Sequence, residues 1–231
     1  EKVNRKFYVT DYGKNRIFSY DLDSAISDPA YLSIEKMKMD EQVFPNDYIY
    51  INDTLSIGVT IQRLGNGNFK PVVGKFNMIT GEIKHSNYTI HPDIKKKRIC
   101  FGISMEHGIY VECYTRHDLM TICSLEGDLK YNIYGPDWDT ETYDISHYGP
   151  VVFCDNRIVA LYSGEKRFTK EGTSTWPTKF LIFDLGGNYL KTLETGYQIV
   201  KFCYDKDKHR IIMSMDDDIQ FGYLDLDSLL D

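Results

Sequence analysis

Phe180-Leu181-Ile182-Phe183-Asp184-Leu185-Gly186-Gly187 is an apolar, β-rich run that ends in an acid, one more apolar residue and a glycine turn. The same phrase recurs at residues 16–23, 73–81, 120–127 and 220–227. With Asp21, Asn77, Ser124, Asp184 and Asp225 as markers, the spacings are 56, 47, 60 and 41 residues. Strand-and-turn content repeating every 40 to 60 residues or so is the signature of a radial β repeat. The expected fold is therefore an all-β propeller with five blades visible in the chain, spanning about 6–36, 44–91, 99–135, 148–194 and 198–231 as a single domain.

Turn chemistry supports the division into strands. Tyr12-Gly13-Lys14-Asn15 and Gly65-Asn66-Gly67-Asn68 place Gly and Asn where positive φ is wanted, between alternating apolar runs. No stretch keeps a helical period for three turns; residues 31–39 come nearest. At the ends, the first unit lacks an innermost strand and the fifth an outermost one, and the two do not complement each other. An open sheet edge exposes unpaired backbone. The reading favoured is a six-bladed architecture with part of its N-terminal blade encoded upstream of Glu1.

Composition narrows the function. The 231 residues are 42% hydrophobic and 14% aromatic, with 18 Tyr. A chain of this size buries roughly 70–75% of its unfolded surface and needs no disulfide or metal staple. The net charge of −7 argues against nucleic acid. The one basic run, Lys95-Lys96-Lys97-Arg98, reads as a solvated loop. No apolar run approaches the ~18–20 residues of a transmembrane helix. Cys100, Cys113, Cys123, Cys154 and Cys203 fall in apolar runs without metal spacing and read as buried hydrophobes; Cys113 with Cys123 is the bridge worth testing if the protein is exported.

Residues 158–164, Ile-Val-Ala-Leu-Tyr-Ser-Gly, followed by an insertion, then residues 180–190 and the 205–211 hairpin, resemble the corresponding segments of TolB-like six-bladed propellers. That family comprises bacterial envelope proteins, many of them lipoproteins of gut bacteria. The resemblance covers residues 145–230 and implies six blades, a periplasmic or cell-surface location and an N-terminal lipid anchor upstream of Glu1. It implies no catalytic residues.

The remaining constellations are weak. Ser163 lacks the strand–helix flanks of a nucleophile elbow. Asp216-Asp217-Asp218 lacks the alternating oxygens and closing Glu of a calcium loop and reads as a solvated hairpin turn. The six His fall singly, with no zinc spacing. Neither a metal nor a cofactor is expected. Two long linkers stand out, residues 135–150 and 165–176. In a propeller both cross the mouth of the channel, bringing Trp138, Tyr143, His147, Tyr148, Arg167, Lys170 and Trp176 to one face, with Arg63 and Arg116 on turns of that face. Aromatic rings beside charges on long loops suit a sugar or peptide. The expectation is a non-catalytic binding or scaffold module of the envelope, taking a protein, peptide or glycan. The alternative is a hydrolase or lyase with a divalent cation in the central channel.

Overall fold

A computed structural model describes residues 5–39, 43–52, 54–88, 90–140, 143–227 and 229–230. The expected Asn52-Asp53 turn and the 135–150 linker are thus described except at Asp53, Glu141 and Thr142. The chain divides into two compact units, residues 1–90 and 91–231.

The first unit holds two antiparallel meanders. One is β1 (Lys6–Asp11), β2 (Arg16–Asp21) and β3 (Ile34–Lys38). The other is β4 (Val43–Tyr50), β5 (Leu55–Gly65), β6 (Asn68–Asn77) and β7 (Ile83–His85). The β5–β6 loop is the two-residue turn expected, with Asn66 and Gly67 at φ 49° and 73°, the doubly left-handed pair that matches strand twist. Ile17, Met37, Met39, Phe76 and Met78 form this unit's core, with Tyr8, Tyr48 and Tyr50 against it.

The second unit holds three meanders. These are β8 (Ile99–Ser104), β9 (Ile109–Tyr114), β10 (Leu119–Ser124) and β11 (Leu129–Tyr134); then β12 (Ile145–Cys154), β13 (Arg157–Lys166), β14 (Lys179–Asp184) and β15 (Tyr189–Glu194); then β16 (Ile199–Asp205), β17 (Arg210–Met215) and β18 (Phe221–Asp225). In every sheet the strands lie in chain order, as in a propeller blade.

The middle strands of the β8–β11 sheet are buried on both faces. All six residues of β9 are buried, as are the first five of β10. One face joins Val111, Cys113, Met120 and Ile122 to Tyr148, Val151, Ile158 and Ala160 of the next sheet. That sheet's other face joins Val159, Leu161, Phe180 and Ile182 to Phe202, Ile211 and Met213 of the last. Each sheet thus supplies half a core to each neighbour, at about 1.5–3 kcal/mol per large side chain buried.

The repeated marker residue has a common task in four of the five copies. Asn77 Oδ1 accepts from Ile79 N and Thr80 N at 2.8 and 3.0 Å. Ser124 Oγ accepts from Asp128 N at 3.1 Å, and Asp184 Oδ1 from Gly186 N and Asn188 N, both at 2.9 Å. A short acceptor that ties down the next backbone N–H groups is how Asx and Ser turns reverse a strand. In the first copy Asp21 does the same for a helix instead of a hairpin. Its Oδ1 accepts from Ser24 N at 2.8 Å and caps α1 (Leu22–Ser27). Sequence periodicity is blind to six residues of helix, and the outer strand follows at Ile34–Lys38.

Three further expectations are corrected. The 145–150 segment is strand, not linker: β12 runs ten residues, with register shifts around Tyr148 that accommodate Pro150. Cys113 lies opposite Cys100 on β8 and Met120 on β10, while Cys123 lies opposite Tyr110. Since Cys123 is an odd number of residues from Met120, the proposed partners point to opposite faces and cannot bond. The basic run is not wholly solvated either. Lys95, Lys96 and Arg98 are exposed, but Lys97 is buried, its Nζ 2.5 Å from Glu112 Oε1 inside the sheet. At the end of the described chain, Leu226 and Leu230 pack into the core, and Arg157 Nε donates to the Leu230 carbonyl at 3.2 Å.

Burial pushes the Glu112 carboxyl up in pKa, and the Lys97 charge opposes that shift. Glu112 Oε2 has no hydrogen-bond partner. Removing one member of such a pair leaves an uncompensated buried charge, at a cost of about 3–5 kcal/mol. Glu112→Leu should therefore lower the urea unfolding free energy by about that amount. The double variant Lys97→Met/Glu112→Leu should recover most of the loss; equal instability in both would show that the charges are not coupled.

Candidate functional site

The β9–β10 corner, Thr115-Arg116-His117-Asp118, is where the first long linker is fastened. Arg116 Nη1 donates to the Tyr143 carbonyl, and His117 Nδ1 is 3.0 Å from the Trp138 carbonyl. Gly135 N donates to the Asp118 carbonyl at 2.7 Å. A Cβ at position 135 would stand 2.0 Å from Asp118 Oδ2, so only glycine lets the carboxylate lie against this backbone. Covered in this way, Arg116, His117 and Asp118 are buried, unusual for a hairpin corner.

The second linker is a strapped hairpin. Thr169 N donates to Thr173 O at 2.8 Å, and Phe168 bridges to Ser174 across a turn with Gly172 at φ 83°. Its base is clasped by Arg167 N to Asp144 O at 2.7 Å and by Thr175 N to Arg167 O at 2.8 Å. Trp176 then spans to the next sheet. Its indole Nε1 donates to Asp216 Oδ2 at 2.7 Å and its backbone N to Gln198 Oε1 at 3.3 Å. Asp217 Oδ2 accepts from Gln198 N at 2.8 Å. Two of the three consecutive acids are therefore anchors for Trp176 and its neighbour, a role their sequence does not disclose.

Between these fastenings lies a cleft of about 300 Å³ within the second unit. Arg98, Arg116, Tyr148, Arg167, Phe168 and Trp176 are on its wall, with Leu161, Pro177 and Ile199 among its apolar contributors. Four of the nine expected site residues, Arg116, Tyr148, Arg167 and Trp176, thus come together. The other five do not line it. Trp138 packs edge-on against Tyr134 and His91, with ring centroids 4.7 and 5.2 Å away. Tyr143 is exposed and contributes its carbonyl to Arg116. His147 is buried, and Arg63 is exposed on β5 in the first unit. Lys170 is exposed on the strap. Arg98 and Phe168 line the cleft without having been singled out: the first was hidden in a lysine run, the second in a polar insertion.

His147 sits in a polar pocket of its own. Neither ring nitrogen has a hydrogen-bond partner, and the residue is 1% exposed. Burial holds its pKa below the ordinary histidine value, and the charge on Asp118 resists that shift. Burial likewise raises the Asp118 carboxyl, against His147 and a hydrogen bond from Tyr162. Ser163 Oγ accepts from Glu165 N at 3.2 Å. Among the described residues no three His, Cys, Asp or Glu are grouped to hold a metal ion. Nor is any helix among them long and apolar enough to cross a membrane.

Neither known protein families nor curated proteins yield a match to this chain. Solved structures do. A Bacteroides caccae protein of unknown function matches with TM-score 0.51 and 10% identity, over 92% of this chain and 72% of that one. The calcium-binding protein regucalcin from Agrobacterium tumefaciens gives 0.57 and 11%, over 94% and 67%. BamB from Moraxella catarrhalis gives 0.51 and 10%, over 95% and 69%. The chain has the β-propeller fold. At such identities the likeness carries no activity, and its neighbours range from a calcium-binding protein to BamB.

The His147 environment makes a pH prediction. An unfolded chain protonates His147 near pH 6.5, whereas the folded chain resists until lower pH, so the unfolded state binds more protons in between. Stability should be full above about pH 6.5 and fall as pH drops toward the depressed folded value. His147→Gln should flatten the decline of melting temperature between about pH 6.5 and 5. His85, also lowered by burial, is common to both proteins and cancels in the difference. An unchanged slope in the variant would refute the assignment.

Proposed function

We propose that this propeller is a non-catalytic binding or scaffold module that takes its ligand in the cleft between the β9–β10 corner and the 167–177 strap. The observation that carries the reading is the fixed Trp176. Its ring is held by Asp216 from the neighbouring sheet and faces a cavity that the core does not fill. An aromatic face held in place before binding loses little conformational entropy when a ligand stacks on it. The wall offers aromatic, apolar and cationic groups, and no paired carboxylates for acid–base work.

The module belongs, in this reading, to the bacterial envelope, periplasmic or at the cell surface. The TolB-like segments at 158–164 and 180–190 support this, as does the likeness to BamB. On the same reading the ring is completed to six blades and anchored by lipid through sequence upstream of Glu1, and the partner is an envelope protein, peptide or glycan.

A calorimetric panel of mono- and disaccharides and short peptides, run on the full chain, tests the proposal. Trp176→Ala should weaken any ligand found by at least about tenfold, the scale of a lost stacking contact. Trp138→Ala, whose ring lies outside the cleft, should leave affinity within about twofold. If Trp176→Ala binds as well as the parent protein, or if a ligand is recovered chemically altered, the reading fails.

A further inference from the structure

We infer that the cleft is an oxyanion site, and that its ligand is a small organic anion whose carboxylate or phosphate group is held by arginine while its body rests on Trp176. This rests on the binding role proposed for the same cleft and names the chemistry of its ligand.

The chain carries 34 acidic residues against 27 Lys and Arg, a net charge of −7. Yet among the described residues three arginines and no Asp or Glu line this cleft. The three come from separate elements: Arg98 before β8, Arg116 at the β9–β10 corner and Arg167 after β13. Arginines lining one cavity give it excess positive charge, and an anion bound there offsets that charge.

Next comes positioning. Arg116 is 6% exposed and its guanidinium is set by the Tyr143 carbonyl. Arg167 stacks its guanidinium on Phe168, 5.3 Å from the ring centroid, and its backbone is clasped on both sides. Arg98 is exposed, its backbone carbonyl held by Thr115 N at 2.9 Å. Among the described residues neither Arg98 nor Arg167 has a carboxylate partner. Elsewhere in the second unit an arginine does find one: Arg210 Nε is 3.0 Å from Asp205. Guanidinium planes match carboxylate and phosphate oxygens in two-point contacts, which a lysine ammonium does not reproduce.

Size completes the case. A volume near 300 Å³ lies at the lower end for small-ligand pockets, enough for one ring or one short side chain with its charged group. The apolar wall, Leu161, Pro177 and Ile199 beside Trp176, suits an organic body more than bare inorganic phosphate.

The test is titration calorimetry on the full chain at low ionic strength with two matched pairs, glucuronate against glucose and phenyl phosphate against phenol. At least one anion should bind ten or more times tighter than its neutral partner, and which pair responds distinguishes a carboxylate from a phosphate ligand. Raising salt from 50 to 200 mM should weaken it several-fold. Arg167→Gln and Arg98→Gln should each reduce affinity by about tenfold, with an unchanged circular dichroism spectrum. Arg167→Lys should recover less than half of that loss on a logarithmic scale. Failure of both anions to bind at 10 mM overturns the inference, as does equal binding of a neutral partner. A neutral ligand that still depends on Trp176 would overturn the anion assignment alone. Absence of any Trp176-dependent ligand would overturn the binding role beneath it.

Discussion

Burial of both faces of the middle strands is the constraint on which the rest of the second unit depends. A four-stranded meander with polar outer faces could stand alone or pack on one side. The sheet of β9 and β10 cannot, because Tyr110, Tyr114, Leu119, Met120 and Ile122 leave it no wet surface at its centre. It needs apolar neighbours, and the β12–β15 sheet supplies one through Tyr148, Val151 and Ile158. That sheet passes the same demand to β16–β18 through Phe180 and Phe202, whose rings meet edge-on at 4.8 Å. The demand for a neighbour is what makes a repeated blade a propeller rather than a string of hairpins.

The same constraint explains what was legible. The marker phrase is a strand plus the side chain that ends it, and both halves of that physics are local. An apolar run declares a strand buried on both faces, and Asn77, Ser124 or Asp184 then ties the following amides. Local physics is visible in local sequence, so the all-β propeller fold could be read directly. Where the marker Asp21 found a different follower, Leu-Asp-Ser-Ala in place of a glycine turn, one acceptor capped a helix. The sequence pattern does not separate those outcomes, because a cap and an Asx turn use the same oxygen and the same amides.

The candidate site was legible in part, for the opposite reason. Its two linkers are conspicuous by length and aromatic content, but what they do depends on contacts with distant residues. Trp138 and Trp176 look alike in sequence; one meets Tyr134 and His91, the other reaches Asp216, and only the second faces the cleft. Lys97 and Arg98 are adjacent in one basic run, yet one is sealed beside Glu112 and the other opens onto the cleft. Residues 145–150 read as part of a long linker, while pairing with β13 holds them in the ladder. Each of these errors is a tertiary partner overriding a sound local preference.

Rigidity is what joins the fold to the site. Both linkers are fastened from outside: His117 and Arg116 carry Trp138 and Tyr143, and Gln198 and Asp216 carry Trp176. The supports are corners of sheets whose own positions are set by two-sided burial, so the linkers inherit the precision of the core. On the proposed reading, a site assembled from such parts changes little on binding, and its ligand has little ordering cost to overcome. Leu161 and Ile199 serve the core and the cleft wall at once, while Arg98, Arg167 and Trp176 line the cleft without belonging to a core cluster. On that reading, aliphatic side chains shared with the core give the cleft its apolar wall, and recognition falls to the arginines and the tryptophan at the strand ends.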